Sequence, residues 1–278
     1  MWLLQMTIDG MHLSSAQHSL SVTRVLFSPL VPTAPPVLEV RDVTVRFGGH
    51  TALHEVDLDV APGAVTGLIG PNGAGKTTLF NVITGLQDSA AGRVLLDGTD
   101  LKRAKAHRRA RAGIARTFQR LEVFGSMTAR ENVLTSAELR RSWSRDRSVD
   151  VDEEVERLIA LVGIEAVADE RVDSMPTGLA RLVELARALA TRPRVLLLDE
   201  PASGLDETES EGFADLLCRL ADDGMAILLV EHDVQLVMRV CAHISVLDFG
   251  AIIARGTPAE VQENSAVLDA YLGAALDQ

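Results

Sequence analysis

The chain is poor in several residue types, and each shortage removes a class of protein. Among 278 residues there are two cysteines, Cys218 and Cys241. Two are too few for a disulfide framework and suit a reducing compartment. Cys241 and His243 would need two further ligands to hold a metal, so they are not read as a metal site. No apolar run approaches the roughly 20 residues that cross a bilayer. Met1-Trp2-Leu3-Leu4 is too short for a secretory signal and lacks its basic start. Net positive charge is missing too: the formal balance is −12, which argues against nucleic acid as a partner. Lysine is scarce, since of 27 basic residues only Lys76, Lys102 and Lys105 are lysines. What is present is 47% hydrophobic residues, enough at this length to bury a sizeable core in one or two domains.

One of those rare lysines sits in a complete phosphate-binding pattern. Gly70-Pro71-Asn72-Gly73-Ala74-Gly75-Lys76-Thr77 fills every fixed position of G-x-x-x-x-G-K-[ST], with Thr78 following. Val65–Ile69 reads as a buried strand before it, and Lys76–Leu86 as a helix opening from it. Gly70, Gly73 and Gly75 let the backbone turn tightly and offer its N–H groups to a polyphosphate. The helix start adds partial positive charge at the same point. A compact ammonium at Lys76 reaches the β- and γ-phosphates where a planar guanidinium would not fit. The Thr77 hydroxyl is placed to hold Mg²⁺.

A second nucleotide element lies far along the chain. Val195-Leu196-Leu197-Leu198-Asp199-Glu200 is an apolar run ending in two acids, as expected of a central parallel strand with its carboxyl end at a ligand. Asp199 would hold Mg²⁺, and Glu200 would polarise the water that attacks the γ-phosphate. Loop and strand together describe a nucleoside-triphosphate hydrolase.

The surrounding segments specify its kind. Pro201-Ala202-Ser203-Gly204-Leu205-Asp206 follows Glu200, and the apolar run Ala226–Val230 ends in Glu231-His232-Asp233. Gln119 follows Ile114–Phe118, and Met175-Pro176-Thr177-Gly178-Leu179 opens a long helix over Ala180–Ala190. With these motifs in this order, residues 37–273 closely resemble the ATP-binding subunits of ABC transporters. The resemblance implies that Gln119 is the Q-loop glutamine, touching Mg²⁺ or the attacking water while the next residues meet the membrane partner. It likewise implies that residues 175–179 are the signature, 203–206 the D-loop with Asp206 at the dimer seam, and His232 the switch histidine. Phe47, in Val45-Arg46-Phe47-Gly48-Gly49, matches the aromatic that stacks on adenine.

At the signature the chain departs from Leu-Ser-Gly-Gly-Gln. Pro176 replaces the serine, Thr177 the first glycine and Leu179 the glutamine, while Gly178 remains. A hydroxyl donor to the partner's γ-phosphate is lost, and a helix N-terminus with the N–H groups of Thr177 and Gly178 is left.

A finer resemblance, to the ATP-binding subunits of branched-chain (hydrophobic) amino-acid importers, rests on Ala106–Gln119, Phe124–Val133, and the tail from Leu247 to Gly273. It implies permease subunits in the membrane, a second ATPase subunit (identical or different), and a solute-binding protein engaged indirectly. The place implied is the cytoplasmic face of the cell membrane, peripheral to it. The other reading of the same motifs is the ATPase of an efflux or lipid exporter.

The expected architecture is α/β: a mostly parallel P-loop NTPase sheet, preceded by an antiparallel β subdomain over the adenine. A helical insertion is expected at about 118–180. Residues 1–36, ending in Pro32-Thr33-Ala34-Pro35-Pro36, read as a mobile extension or a consequence of start-site choice before the ATP-binding domain at 37–278. Two basic clusters, Lys102, Arg103, Lys105, Arg108, Arg109 and Arg111, then Arg140, Arg141, Arg145 and Arg147, read as solvated surface, with acidic lipid or the membrane partner as the alternative contact.

Overall fold

The computed structural model describes residues 34–145 and 148–276, so most of the expected extension, and Arg147, lie outside the described residues. Strand β3 (Ala64–Ile69) runs into the phosphate loop and sits inside a six-stranded sheet of order β10-β9-β3-β8-β7-β6. Its other members are β6 (Ile114–Arg116), β7 (Val195–Asp199), β8 (Ala226–Val230), β9 (His243–Asp248) and β10 (Ala251–Gly256). All neighbours pair in parallel except β10, which closes one edge antiparallel to β9.

Every residue of β7 and β8 is buried. Because successive side chains point to opposite faces, the two strands feed two cores at once. Leu196, Leu198, Ile227 and Leu229 join one cluster, while Val195, Leu197, Ala226, Leu228 and Val230 join the other. The first cluster is covered by α3 (Ala129–Trp143), α4 (Val151–Val162), α5 (Thr177–Ala190), α6 (Glu207–Asp222) and α7 (Val234–Val240). The second lies under α1 (Lys76–Thr84) and a separate antiparallel sheet. Cys241 belongs to the first core, against Gly67, and burial pushes its thiol pKa up to about 12.

The antiparallel sheet has the order β2-β1-β4-β5, from β1 (Leu38–Phe47), β2 (His50–Val60), β4 (Ala91–Leu96) and β5 (Thr99–Asp100). The expectation that this region precedes the parallel sheet is half right. The β1–β2 hairpin does precede it, but β4 and β5 return after α1 because β1 has a second edge to fill. Leu38 pairs with Val60 on one side and with Leu96 on the other.

Two boundaries differ from the sequence reading. Helix α1 stops at Thr84, where Gly85 takes a left-handed conformation and its N–H closes on Asn81 and Val82 carbonyls. Helix α5 begins at Thr177 with Pro176 as its N-cap, three residues before Ala180. One member of the first basic cluster is also corrected. Arg109, on α2 (Ala106–Ala112), is buried, and its guanidinium donates to the carbonyls of Val82, Ile83, Leu101 and Ala104. It closes the C-terminal end of the helix that leaves the phosphate loop, where a cation also suits the helix dipole.

Helices α3 and α4 lie between β6 and α5 in the chain, within the span expected for the helical insertion. Thr128 and Glu131 form a reciprocal capping box that starts α3. Buried Asn132 then ties Phe124 to that helix, accepting from its N–H at 2.9 Å and donating to its carbonyl at 3.0 Å.

Candidate functional site

The phosphate loop is built on backbone crowding that only glycine tolerates. A Cβ on Gly70 would sit 1.9 Å from the Leu247 carbonyl oxygen. One on Gly75, which has φ +110°, would lie 2.8 Å from the Ala52 oxygen and from a Leu53 methyl. The loop is therefore wedged between the β9 end and β2, and Gly250 N–H donates to Ala74 O at 2.9 Å from the β9–β10 turn. Inside it, the Lys76 ammonium donates to the carbonyls of Gly70 (2.6 Å) and Pro71 (3.0 Å). Burial pulls the Lys76 pKa below the usual lysine value, and the carboxylates of Glu200 and Asp199 oppose that.

Asp199 ends β7 and Glu200 follows at φ +51°, a strained setting for a side chain of this kind. Its N–H is fixed to the Val230 carbonyl at 2.8 Å, at the end of β8. The Glu200 carboxylate accepts from Gln119 Nε2 at 2.8 Å, and its other oxygen lies 3.4 Å from His232 Nδ1. Three candidates from distant segments thus meet at one carboxylate, beside the lysine of the loop. Phe47 is half exposed at the end of β1, and Ala52 and Leu53 of the same hairpin press on Gly75.

The donors Thr77 (hydroxyl), Asp199 (carboxylate) and Gln119 (amide) are oxygen ligands of the hard type that suits Mg²⁺. No group of three or more His, Cys, Asp or Glu that could hold a metal occurs among the described residues. A site with one carboxylate fits an ion completed by phosphate oxygens and water.

The signature residues form a second group, separate from these. Pro176 caps α5 without a side-chain bond, and Thr177 and Gly178 open it. A Cβ on Gly178 would lie 2.4 Å from a Glu209 carboxylate oxygen, and one on Gly204 would lie 3.2 Å from the Thr177 methyl. Asp206 caps α6 in a box with Glu209, accepting from its N–H at 2.8 Å. Leu179 packs partly buried against the first core.

Several residues that position the site were not singled out from the sequence. Glu231 is buried and accepts from Ala202 N–H (2.8 Å) and His232 N–H (3.1 Å), joining the segment after Glu200 to the histidine. Burial raises its pKa above the usual glutamate value. On α5, Arg181 donates to the carbonyls of Phe118 (2.9 Å) and Gln119 (2.6 Å) and pairs with Glu184 at 3.1 Å. Glu184 in turn accepts from Glu122 N–H at 3.2 Å, and Arg187 donates to the Glu122 carbonyl. The spacing i, i+3, i+6 places the three on one helix face, the only sequence signal that could have found them. The Gln119 segment is bound to the signature helix by this ladder.

Arg181→Ala is expected to lower stability by about 3 kcal/mol, because it leaves Glu184 buried without its cation. Burial already holds the Glu184 pKa above the usual glutamate value. Its ionised form therefore costs stability as pH rises, and the deficit should narrow as pH falls and Glu184 protonates. Urea unfolding at several pH values checks this, and adding Glu184→Gln should recover part of the loss.

Comparison with known proteins agrees with this geometry. The ABC transporter family profile matches residues 53–203, and a profile described as "Branched-chain amino acid ATP-binding cassette transporter" matches residues 251–277. The chain is 39% identical over 252 residues to the high-affinity branched-chain amino acid transport ATP-binding protein BraF of Pseudomonas aeruginosa, covering 86% of this chain and 99% of that one. It is 36% identical to LivG of Escherichia coli, which has the same description, with the same coverage. The lipopolysaccharide export system ATP-binding protein LptB of Escherichia coli is 33% identical, over 85% of this chain and 97% of its own length. Among solved structures, an ABC transporter ATP-binding cassette in its ADP conformation superposes with a TM-score of 0.75 at 29% identity, covering 86% of this chain and all of that one (100%). A nucleotide-free cassette gives the same TM-score at 28% identity, covering 85% and 98%. Since relative and profile matches span the phosphate loop, the acidic strand and the C-terminal strands alike, this chain belongs to the ABC transporter family as one of its ATP-binding subunits.

Proposed function

We propose that the chain hydrolyses ATP to drive import of branched-chain amino acids, or of a related small solute, as a peripheral subunit on the cytoplasmic face of the membrane. The observation that carries the chemistry is the meeting of Glu200, Gln119 and His232 at the carboxyl ends of β7 and β8, beside Lys76. The likeness to BraF and LivG and the C-terminal match support the solute class.

In this reading Lys76 and the loop N–H groups bind the β- and γ-phosphates. Phe47 stacks on the adenine. Glu200 accepts the proton of the attacking water; Gln119 and His232 hold its carboxylate, with Gln119 touching Mg²⁺ or that water and His232 donating to the γ-phosphate. Thr77, Asp199 and Gln119 would hold Mg²⁺, which supplies charge neutralisation between the phosphates when bound. Positioning and electrostatics then carry the reaction. No described helix is long and apolar enough to cross a membrane. The likeness to transport ATP-binding subunits supports permease subunits as its membrane partners. A second ATPase subunit would close over the nucleotide, with Pro176–Leu179 of this chain facing the nucleotide held by that partner and Asp206 at the seam. Residues 118–180 would move as the helical part, and a solute-binding protein would deliver cargo outside.

The test is reconstitution with permeases and binding protein in proteoliposomes carrying ATP on the side of this subunit. Labelled leucine should be taken up in the direction away from the binding protein, with ATP consumed. The likeness to LptB favours a second reading, export of a lipid, and ATP-dependent loss of lipid from the bilayer with no leucine movement would support it.

The altered signature gives a further expectation. If the partner retains a serine there, the two nucleotide sites differ by about one charge-assisted hydrogen bond, worth roughly tenfold or more in rate. Pro176→Ser should then speed hydrolysis only of the ATP held by the partner. Site-resolved hydrolysis, with one phosphate-loop lysine disabled at a time, reads this out. No change would mean that the N–H groups at the start of α5 suffice.

A further inference from the structure

One ion pair in the site has no counterpart in the roles above. Arg116, the last residue of β6, donates from NH2 to Asp199 Oδ2 at 2.7 Å and from NH1 to Asn81 Oδ1, on α1, at 2.6 Å. Its side chain and that of Asp199 are only 6% and 5% exposed. Its guanidinium carbon lies 5.3 Å from the Phe80 ring centroid and 4.7 Å from that of Phe118. The Nε atom is buried and makes no hydrogen bond. Two acceptors and two aromatic rings therefore fix the plane of this cation, and burial makes the pair stronger than a surface one.

We infer that Arg116 is the positioning residue for Asp199: it holds the carboxylate as the resident counter-cation and, through Phe118, makes that hold depend on the segment carrying Gln119. Phe118 is the link because it directly precedes Gln119, and its carbonyl is held by Arg181 on the signature helix. A guanidinium on one carboxylate oxygen lowers the negative field that a divalent cation meets at Asp199, so Arg116 and the cation oppose each other there. Without a divalent cation, Arg116 also offsets the repulsion between Asp199 and an entering phosphate. Both effects make nucleotide binding less dependent on Mg²⁺. A change in the Gln119 segment that carries Phe118 off the guanidinium weakens this hold.

The inference rests on the nucleotide-site reading, and the probe separates the two. Calorimetry gives the ADP affinity of the intact chain in Mg²⁺ and in EDTA, and the readout is the affinity in Mg²⁺ divided by that in EDTA. If the wild type binds no ADP, the site reading itself fails. If it binds, Arg116→Met is expected to raise the ratio about tenfold, mainly by weakening binding in EDTA. Arg116→Lys, which keeps the charge but not the fork, should fall between. Phe118→Leu keeps the ion pair and should raise the ratio by roughly two- to fivefold, the worth of one cation–π contact. A purely structural role would shift unfolding midpoints and leave the ratio alone. An unchanged or lowered ratio in Arg116→Met overturns the inference. If that variant does not fold, the same result in both Arg116→Lys and Phe118→Leu overturns it.

Discussion

Replacing Glu200 with Gln is expected to slow ATP hydrolysis by roughly 10²–10⁴-fold while leaving ATP binding in place, the range for loss of a general base. The substitution keeps the size of the side chain, so the backbone at φ +51° and the N–H bond to Val230 can remain. What disappears is basicity at the one carboxylate that both Gln119 and His232 reach. If a second ATPase subunit closes over the nucleotide as proposed and hydrolysis reopens the pair, the variant should also accumulate an ATP-bound dimer. Phosphate release from the assembled complex gives the first effect, and size-exclusion chromatography with ATP gives the second. Unchanged turnover would mean that another group activates the water, with His232 the first to examine.

What the sequence makes legible in this fold is local. The strand before the phosphate loop, the two apolar strands ending in acids and in Glu231-His232, and the helix after the signature can be read because burial on both faces writes continuous apolar runs. What stays hidden depends on pairings across the chain. Nothing in Ala91–Leu96 says that it will take the free edge of β1. Arg109 looks like one more solvated arginine until the carbonyls at the end of α1 are brought to it. Arg116 and Asp199 are 83 positions apart, and Arg181 and Gln119 are 62 apart. Such charges are buried only because their partners arrive from elsewhere, and a single sequence records neither half as special. The signature is an intermediate case: its substitutions are plain in the sequence, but the contact of Gly178 with the Glu209 carboxylate is not.

The second large effect is expected at Lys76, which the proposed function places on the nucleotide phosphates. Its ammonium donates to the carbonyls of Gly70 and Pro71 inside its own loop. Exchanging these for phosphate oxygens converts two neutral-acceptor bonds into ion-to-ion ones at a partly desolvated point. Lys76→Ala removes both, and at about 1.5–3 kcal/mol for each charged hydrogen bond the affinity should fall by roughly 10²–10⁴-fold. Losing the two bonds to the Gly70 and Pro71 carbonyls costs less, about 1 kcal/mol each, so the fold should persist.

The most direct measurement is therefore calorimetric titration of MgATP into the wild type and into Lys76→Ala, with thermal unfolding of both recorded beside it. A saturable isotherm for the wild type, and one at least about a hundredfold weaker for a variant that still unfolds cooperatively, is the predicted result. Equal affinity in the two proteins would contradict the assignment of this loop as the ATP site.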